Sequence, residues 1–459
     1  MTRIHLIGIG GTGLSAIARV LLEMGHTVTG SDRADSQFVQ SLRSAGVSIS
    51  IGHLPENVHG ADLVVRSSAI LDDNPEVAAA RELGIPVLKR ADFLGGLMEG
   101  KTGIAVAGTH GKTTITSMIA WMLSALGQDP SFIVGGVLAN LGVNAHAGKG
   151  QAFVIEADEY DRMFLGLKPS IEVISSVEHD HPDCYPTPAD FQAAFVEFVH
   201  LLPAHGTLVY CAEDAGARHV AVRAKFAGRR TIAYGWSGKH SVFSAEYAVT
   251  KDELTNPHGG FSFTAIINGQ PVTVALSVPG KHNVLNSLAA LTVAHLLELD
   301  LSAAARALGE FKGTGRRFEV RGEAGGVTVI DDYAHHPTEI RATLSAARSH
   351  YPGRRIWAVW QPHTYSRTRT LFNGFATAFP DADAVIVTEV YKAREPEQDF
   401  SAVEVVKAMS HPAVQFIAGL PEVSNYLVSH LSRGDVLLVL SAGDADQVST
   451  EVLARLKEA

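Results

Sequence analysis

Short apolar runs that stop at a glycine or a polar residue alternate, through most of the chain, with stretches whose apolar positions recur every three to four residues. The runs predict buried strands and the stretches predict helices, so together they predict an α/β fold of parallel sheets with crossover helices. Three blocks separate. The first, residues 1–100, holds runs at 4–9, 27–30 and 61–65 and a helical pattern at 15–24, and it closes near Gly95 and Gly96. It predicts a Rossmann-like domain. The second, residues 101–320, opens on the run 104–107 and a helical pattern at 115–126, then continues with runs at 152–155 and 171–176. From about 247 to 278 apolar and polar residues alternate, which predicts a small antiparallel sheet in addition to the parallel one. The third, residues 321–459, carries runs at 327–330, 356–360, 384–388 and 436–440 and predicts a second Rossmann-like domain.

Composition agrees with this division, since 459 residues of which 46% are apolar can bury several cores. A net charge of -10 without a long Lys or Arg cluster argues against nucleic-acid binding. The two cysteines, Cys184 and Cys211, form neither a disulfide framework nor a CxxC metal site and fit a reducing compartment. The opening residues run directly into a strand and a glycine loop, so no signal sequence is expected. No uncharged apolar run reaches the length of about 18 residues that would span a membrane. A cytoplasmic monomer or homodimer without membrane insertion is expected.

The candidate chemistry begins with Gly108-Thr109-His110-Gly111-Lys112-Thr113-Thr114, between a strand and a helical pattern. Consecutive backbone amides there can cradle phosphate oxygens, Lys112 can reach terminal phosphates and Thr113 can ligate magnesium, which makes this an ATP site. Its glycine spacing is shortened, because Val106 stands where the common motif has its first glycine. A second loop, Gly8-x-Gly10-Gly11-x-Gly13, also follows a strand and precedes a helix, and Asp32 ends the next strand where such folds place an acid on a ribose hydroxyl. That loop accepts the diphosphate of NAD or of a UDP-sugar. An ordinary dehydrogenase needs no ATP loop, so a nucleotide-linked substrate is the better reading, with an NAD-dependent oxidoreductase as the rival. Ser67 and Ser68, after the third run of the first block, join the candidate UDP-sugar contacts.

Glu156, in Glu156-Ala157-Asp158-Glu159, lies at the carboxyl end of a strand, where ligands of parallel sheets collect, and is a candidate magnesium ligand. Asp180-His181 occupies a similar place. Magnesium prefers oxygen, so a histidine ligand needs carboxylates and phosphate around it. His179, Asp183 and Cys184 lack the second ligand pair that a zinc site requires.

Taken together, GTHGKTT (108–114), EADE (156–159), Asp180-His181, HNVLN (282–286), GRRFE (315–319), DDYAHHPTE (331–339) and QPHTYSRTR (361–369) resemble the Mur ligase family across the whole chain. Members of that family build the peptide of bacterial peptidoglycan. The resemblance is nearest the branch that adds alanine first. Later-acting members carry a carbamylated lysine after the DH pair, and this chain has no lysine between Lys168 and Lys225. Asp73-Asn74-Pro75-Glu76 is similar to a diaminopimelate-recognition motif but lacks its arginine and lies in the first block.

The resemblance implies ATP, UDP-N-acetylmuramate and L-alanine as substrates and two magnesium ions, with a tripeptide-recycling ligase of the same family as the alternative. It implies that Lys112 stabilises the transferred phosphoryl group, that Thr113 and Glu156 hold one magnesium and that His181 holds the other. Asn283 and Asn286 would line the adenine side, completed by Arg317 and Asp332. His335, His336, His363, Arg367 and Arg369 would face the amino acid and the sugar acid, with His335 or His336 as base or orienting group. Family members commonly have arginine where Thr364 stands, so the resemblance leaves Arg367 to compensate.

Overall fold

The computed structural model describes residues 2–237, 245–250 and 260–458. Its strands form three sheets, the first wholly parallel in the order Ser48–Ile51, Thr27–Asp32, Arg3–Ile7, Leu63–Arg66, Val87–Lys89. The strand order reverses beside Arg3–Ile7, and such a reversal opens a crevice at the carboxyl ends of the strands. Residues 8–13 and 67–68 lie there. The helix Thr12–Glu23 buries Leu14, Ile17, Val20 and Leu21 in a core shared with Ile133, Ala145 and Phe153 of the second sheet. The first domain is thus fastened to the second by apolar packing.

The second sheet has ten strands, in the order Gln270–Leu276, Phe261–Ile267, Tyr247–Thr250, Arg230–Ser237, Thr207–Cys211, Ile171–Ile174, Thr102–Ala107, Ala152–Glu156, Ser131–Leu138, Val143–His146. All pairings from Tyr247–Thr250 to Ser131–Leu138 are parallel. The alternating stretch is therefore no separate sheet: its strands extend the parallel one through antiparallel pairs, while residues 251–259 within it lie outside the described residues. The reason is burial, since Phe261, Phe263, Val272 and Val274 close the same core as Val284, Leu288 and Leu308 from the adjoining helices.

The third sheet runs Glu319–Ala324, Val327–Asp332, Val436–Leu440, Ile356–Trp360, Ala384–Val387, Val414–Phe416, with only the first pair antiparallel. Its two cores contain only residues of the third domain. The contacts to the middle domain are ionic, hydrogen-bonded and ring contacts instead, the kind of interface across which domains move. Gly95 and Gly96, expected at a boundary, lie inside the helix Arg90–Leu97. A side chain on Gly95 would collide with the carbonyl of Gly166, so the glycine serves close packing between the first two domains. Among the described residues no helix is long and apolar enough to cross a membrane.

Candidate active site

The strand Thr102–Ala107 ends in a loop that turns into the helix Lys112–Ala125 through Gly111, whose φ of 81° puts it in the left-handed region. Gly108 also has a positive φ, and a side chain there would collide with Ser175 and Ser176. The loop is braced from below. Thr109 Oγ1 donates to the Glu178 carbonyl at 2.7 Å and accepts from the Glu178 amide at 2.9 Å, and the His110 amide donates to Ser176 Oγ at 3.0 Å. Its amides are thereby fixed around the helix N-terminus, the arrangement that binds phosphate.

Lys112 Nζ lies 2.9 Å from Glu159 Oε1 and also donates to the carbonyls of Gly108 and Thr109. Burial opposes its charge, but Glu159 and Asp158 outweigh it, so the ammonium persists. Thr113 Oγ1 donates to Glu156 Oε1 at 2.9 Å, and the Gly135 amide donates to Glu156 Oε2 at 2.7 Å. Burial raises the Glu156 carboxyl against the pull of Lys112. His181, whose φ of 54° is left-handed, places Nε2 3.6 Å from Glu159 Oε1. Glu159 Oε2 is buried without a partner. Glu159, quoted in the sequence only as part of its motif, is thus the carboxylate shared by Lys112 and His181.

A cavity of about 780 Å³ adjoins the loop and is lined by His110, Gly111, Thr113, Thr114, Asn283, Asn286, Arg317 and Asp332, together with His282 and Phe311. Asn286 donates to Asn283 Oδ1 at 2.9 Å, and Asn283 donates to the Pro279 carbonyl at 2.7 Å. Arg317 reaches Thr113 Oγ1 at 3.4 Å and stacks on Tyr333 with Arg316 on the same ring. Burial pushes the Asp332 carboxyl up to about 6 against Arg317, and its oxygens accept from the amides of Phe318 and Ala334. Asp332 therefore fastens the interdomain linker as well as facing the cavity.

The third domain meets the phosphate loop through charged side chains. His110 lies between Glu178 at 2.8 Å and Glu339 at 3.1 Å, and those hydrogen bonds overcome burial and raise its pKa to about 9. Arg367, only 3% exposed, binds Asp180 through Nε at 2.7 Å and Nη2 at 3.2 Å. Its Nη1 is 2.9 Å from His363 Nδ1 and its Nη2 is 3.3 Å from His181 Nδ1. His335 Nδ1 faces the Tyr333 carbonyl at 2.9 Å, and burial lowers its pKa to about 4. His336 is buried, accepts at Nδ1 from the Thr338 amide as a helix cap, and has no partner at Nε2. Burial, then His335, Arg367 and Arg394, keep His363 neutral.

Not every expected residue joins these groups. Arg369 donates to the Asp399 carbonyl at 3.1 Å and lies over Phe400, apart from the cluster. In the first domain Asp32 accepts from the Gly10 amide at 2.8 Å, and a side chain on Gly10 would come within 2.9 Å of that carboxylate. Gly8 has a positive φ and lies against Ser67, Gly11 packs on the Gly8 carbonyl, and Ser68 is exposed. Gly13 is covered by the guanidinium of Arg90, which reaches Asp158 of the middle domain at 3.4 Å. Arg90, Glu178 and Glu339 escaped the sequence reading. Only Glu339 sat in a quoted motif, and the pairings of all three depend on residues distant in sequence. Asn74 caps a helix that Pro75 begins, and Glu76 is buried against Ser31, His53 and Asn57, so two of the four DNPE residues are tied into the first domain while Asp73 and Pro75 are exposed.

Comparison with known proteins places all three domains. Residues 3–102 match the Mur ligase family catalytic domain, 106–294 the Mur ligase middle domain and 316–443 the Mur ligase glutamate ligase domain. The chain is 44% identical to a UDP-N-acetylmuramate--L-alanine ligase of Geobacter sp. (strain M21), covering 100% of this chain and 98% of the relative. It is 43% identical to the protein of the same name in Nitratidesulfovibrio vulgaris (strain DP4), over 98% of each. The UDP-N-acetylmuramate-alanine ligase of Thermotoga maritima superposes with a TM-score of 0.83 at 30% identity, each chain covered in full. A murein peptide ligase of Psychrobacter arcticus gives 0.73 at 26% identity, covering 100% of this chain and 99% of that one.

Proposed function

This chain belongs to the Mur ligase family, and from that premise we propose that it joins L-alanine to the carboxylate of UDP-N-acetylmuramate, with ATP going to ADP and phosphate, in peptidoglycan synthesis. The observation that carries this reading is the meeting of Asp180 and His181, beside the phosphate loop, with Arg367, His335 and His363 of the third domain. An ATP site and an amine-handling site share one seam.

A carboxylate is a poor acyl donor because attack by an amine would have to expel oxide. Transfer of the terminal phosphoryl group of ATP to it gives an acyl phosphate, whose leaving group is phosphate. Lys112, the loop amides and Arg317 oppose the negative charge that builds on that group, and positioned charge of this kind supplies most of the rate in phosphoryl transfer. Oxygen donors from Thr113 and Glu156, and the partnerless Glu159 oxygen beside His181, suit two hard divalent cations. When bound, magnesium neutralises charge on the phosphates. The first glycine loop, braced by Asp32, receives the UDP diphosphate.

The hydrogen-bond partners support different roles for the paired histidines. His335 donates from Nδ1 to a carbonyl, so its uncharged ring offers an Nε2 lone pair that can accept the proton of the attacking amine. His336 accepts at Nδ1, so Nε2–H is a donor, suited to an oxygen of the acyl phosphate. Closure of the third domain excludes the water that would hydrolyse that intermediate. We place the reaction in the cytoplasm. Phosphate release from ATP and UDP-N-acetylmuramate, screened with L-alanine, L-serine, glycine and the tripeptide, tests the assignment. Release greatest with L-alanine is expected, and no release with any nucleophile would overturn it.

A further inference from the structure

We infer that Arg394 binds the α-carboxylate of the incoming amino acid and so makes the enzyme selective for an α-amino acid over a simple amine. The inference rests on the reaction proposed above. An amino acid carries its carboxylate into a partly desolvated seam, where an unpaired negative charge is costly and a guanidinium fork is the best-matched partner. The cations near His335 and His363 are few. Arg367 has Nε and Nη2 on Asp180 and Nη1 against His363, and it is buried. Lys112 is held by Glu159 and by the carbonyls of Gly108 and Thr109. Arg317 lies on Tyr333 beside Thr113.

Arg394 differs. Its guanidinium carbon lies 3.9 Å over the ring of Tyr160, its Nη2 donates to Asp183 Oδ2 at 3.0 Å, and half of the side chain is exposed. Among the described residues Nε and Nη1 have no hydrogen-bond acceptor. The backbone that carries it is pinned on both sides to the segment bearing His363 and Arg367. Tyr391 donates its amide to the Pro362 carbonyl and accepts from the Thr364 amide, while the Glu395 carboxylate accepts from the amides of Tyr365 at 2.6 Å and Ser366 at 3.1 Å. Between those anchors Ala393 takes a φ of 51°, turning the chain at the residue before Arg394. Tyr160 is itself edge-on to His181, with ring centres 5.1 Å apart. A charged fork with free donors thus borders the histidine cluster, held from the third domain onto the middle one.

The test compares L-alanine with L-alaninamide, which keeps the amine and loses the negative carboxylate, using phosphate release at saturating ATP and UDP-N-acetylmuramate. For Arg394→Ala the KM for L-alanine should rise roughly ten- to a hundredfold, the size of a lost charge-assisted hydrogen bond, and the preference for L-alanine over L-alaninamide should collapse toward one. Arg394→Lys, a point charge without the fork, should recover part of that preference. Arg394→Gln is the second variant, for use if the alanine form folds poorly. An unchanged alanine-to-alaninamide ratio overturns the inference. So does an equal loss with both nucleophiles accompanied by slower hydroxylamine-trapped acyl phosphate, which would make Arg394 a docking contact only. Wild-type enzyme without alanine-dependent phosphate release would instead overturn the proposed reaction.

Discussion

Asp180→Asn should loosen the third domain from the middle one. The two side chains of the Asp180–Arg367 pair are each 4% exposed, and the carboxylate takes two of the guanidinium's donors across the domain boundary. Although burial penalises its charge, Arg367 followed by His181 and His335 holds the Asp180 carboxyl well below the usual carboxylate range, so the pair is ionised at neutral pH. Removing one partner of a buried pair strands the other charge and costs about 3–5 kcal/mol. Asparagine keeps the shape and one acceptor, so the lower figure applies. At about 1.4 kcal/mol per decade, the ratio of docked to undocked molecules should fall about a hundredfold. Energy transfer between dyes on the middle and third domains, and proteolysis in the linker around residues 312–318, would both report it. Adding Arg367→Met removes the stranded charge, so the double variant should dock better than Asp180→Asn alone while remaining inactive. Equal docking and equal linker proteolysis in Asp180→Asn and the parent would refute the reasoning.

Lys112→Ala should cut ADP formation by at least about a hundredfold, the loss typical of one preorganised charge-stabilising group, while calorimetric binding of UDP-N-acetylmuramate persists. Gly135→Ala would set a methyl group 2.7 Å from Glu156 Oε2; a magnesium titration of activity should shift to higher concentration by roughly tenfold with the melting temperature little changed. His110 has a folded-state pKa raised from 6.5 to about 9 by Glu178 and Glu339 against burial, so its contribution to folding stability is full below about 6.5 and disappears as pH rises through about 9. His336, at 4.7 Å between ring centres, also faces it. His110→Gln should flatten the pH dependence of the melting temperature over that window. Glu172 is fully buried with neither carboxylate oxygen partnered, and burial, against Arg229, holds its carboxyl well above 4.5, so its presence destabilises increasingly as pH rises above that value. Glu172→Met should stabilise by about 1–3 kcal/mol, read as a higher melting temperature, with a larger gain at pH 8 than at pH 5.

Much of the fold could be read from apolar runs because parallel strands buried on both faces leave an unbroken signal, as at Ile356–Trp360 and Val436–Leu440. The short edge strand Val414–Phe416 is only partly buried and gave no comparable run. Gly95 and Gly96 show how glycine can signal either a turn or a close approach: both lie in a helix, and the carbonyl of Gly166 shows that close approach applies at Gly95. The strand-to-helix setting of residues 108–114 was legible because its signal is local, with glycines, Lys112 and Thr113 in one short segment. The seam was not. Arg367 looks free in sequence, yet its carboxylate partner lies 187 positions away, and His110 finds Glu339 across 229.

The linker between the second and third domains lies beside the cavity next to the 108–114 loop. Arg316 and Phe318 both have left-handed backbones, Arg316 and Arg317 both lie over Tyr333, and Thr314 and Arg317 form an isolated antiparallel bridge. A pivot built there works as a short lever for whatever is near and a long one for whatever is far. Rotation of the third domain about it would move Arg317 little from Thr113, while sweeping His363, Arg367 and Arg394 through a wide arc. Asp332, close to the linker, would shift less than Thr338 and Glu339, which line the same cavity from the third domain. The position of a pivot thereby sets which groups at the seam travel together and which part.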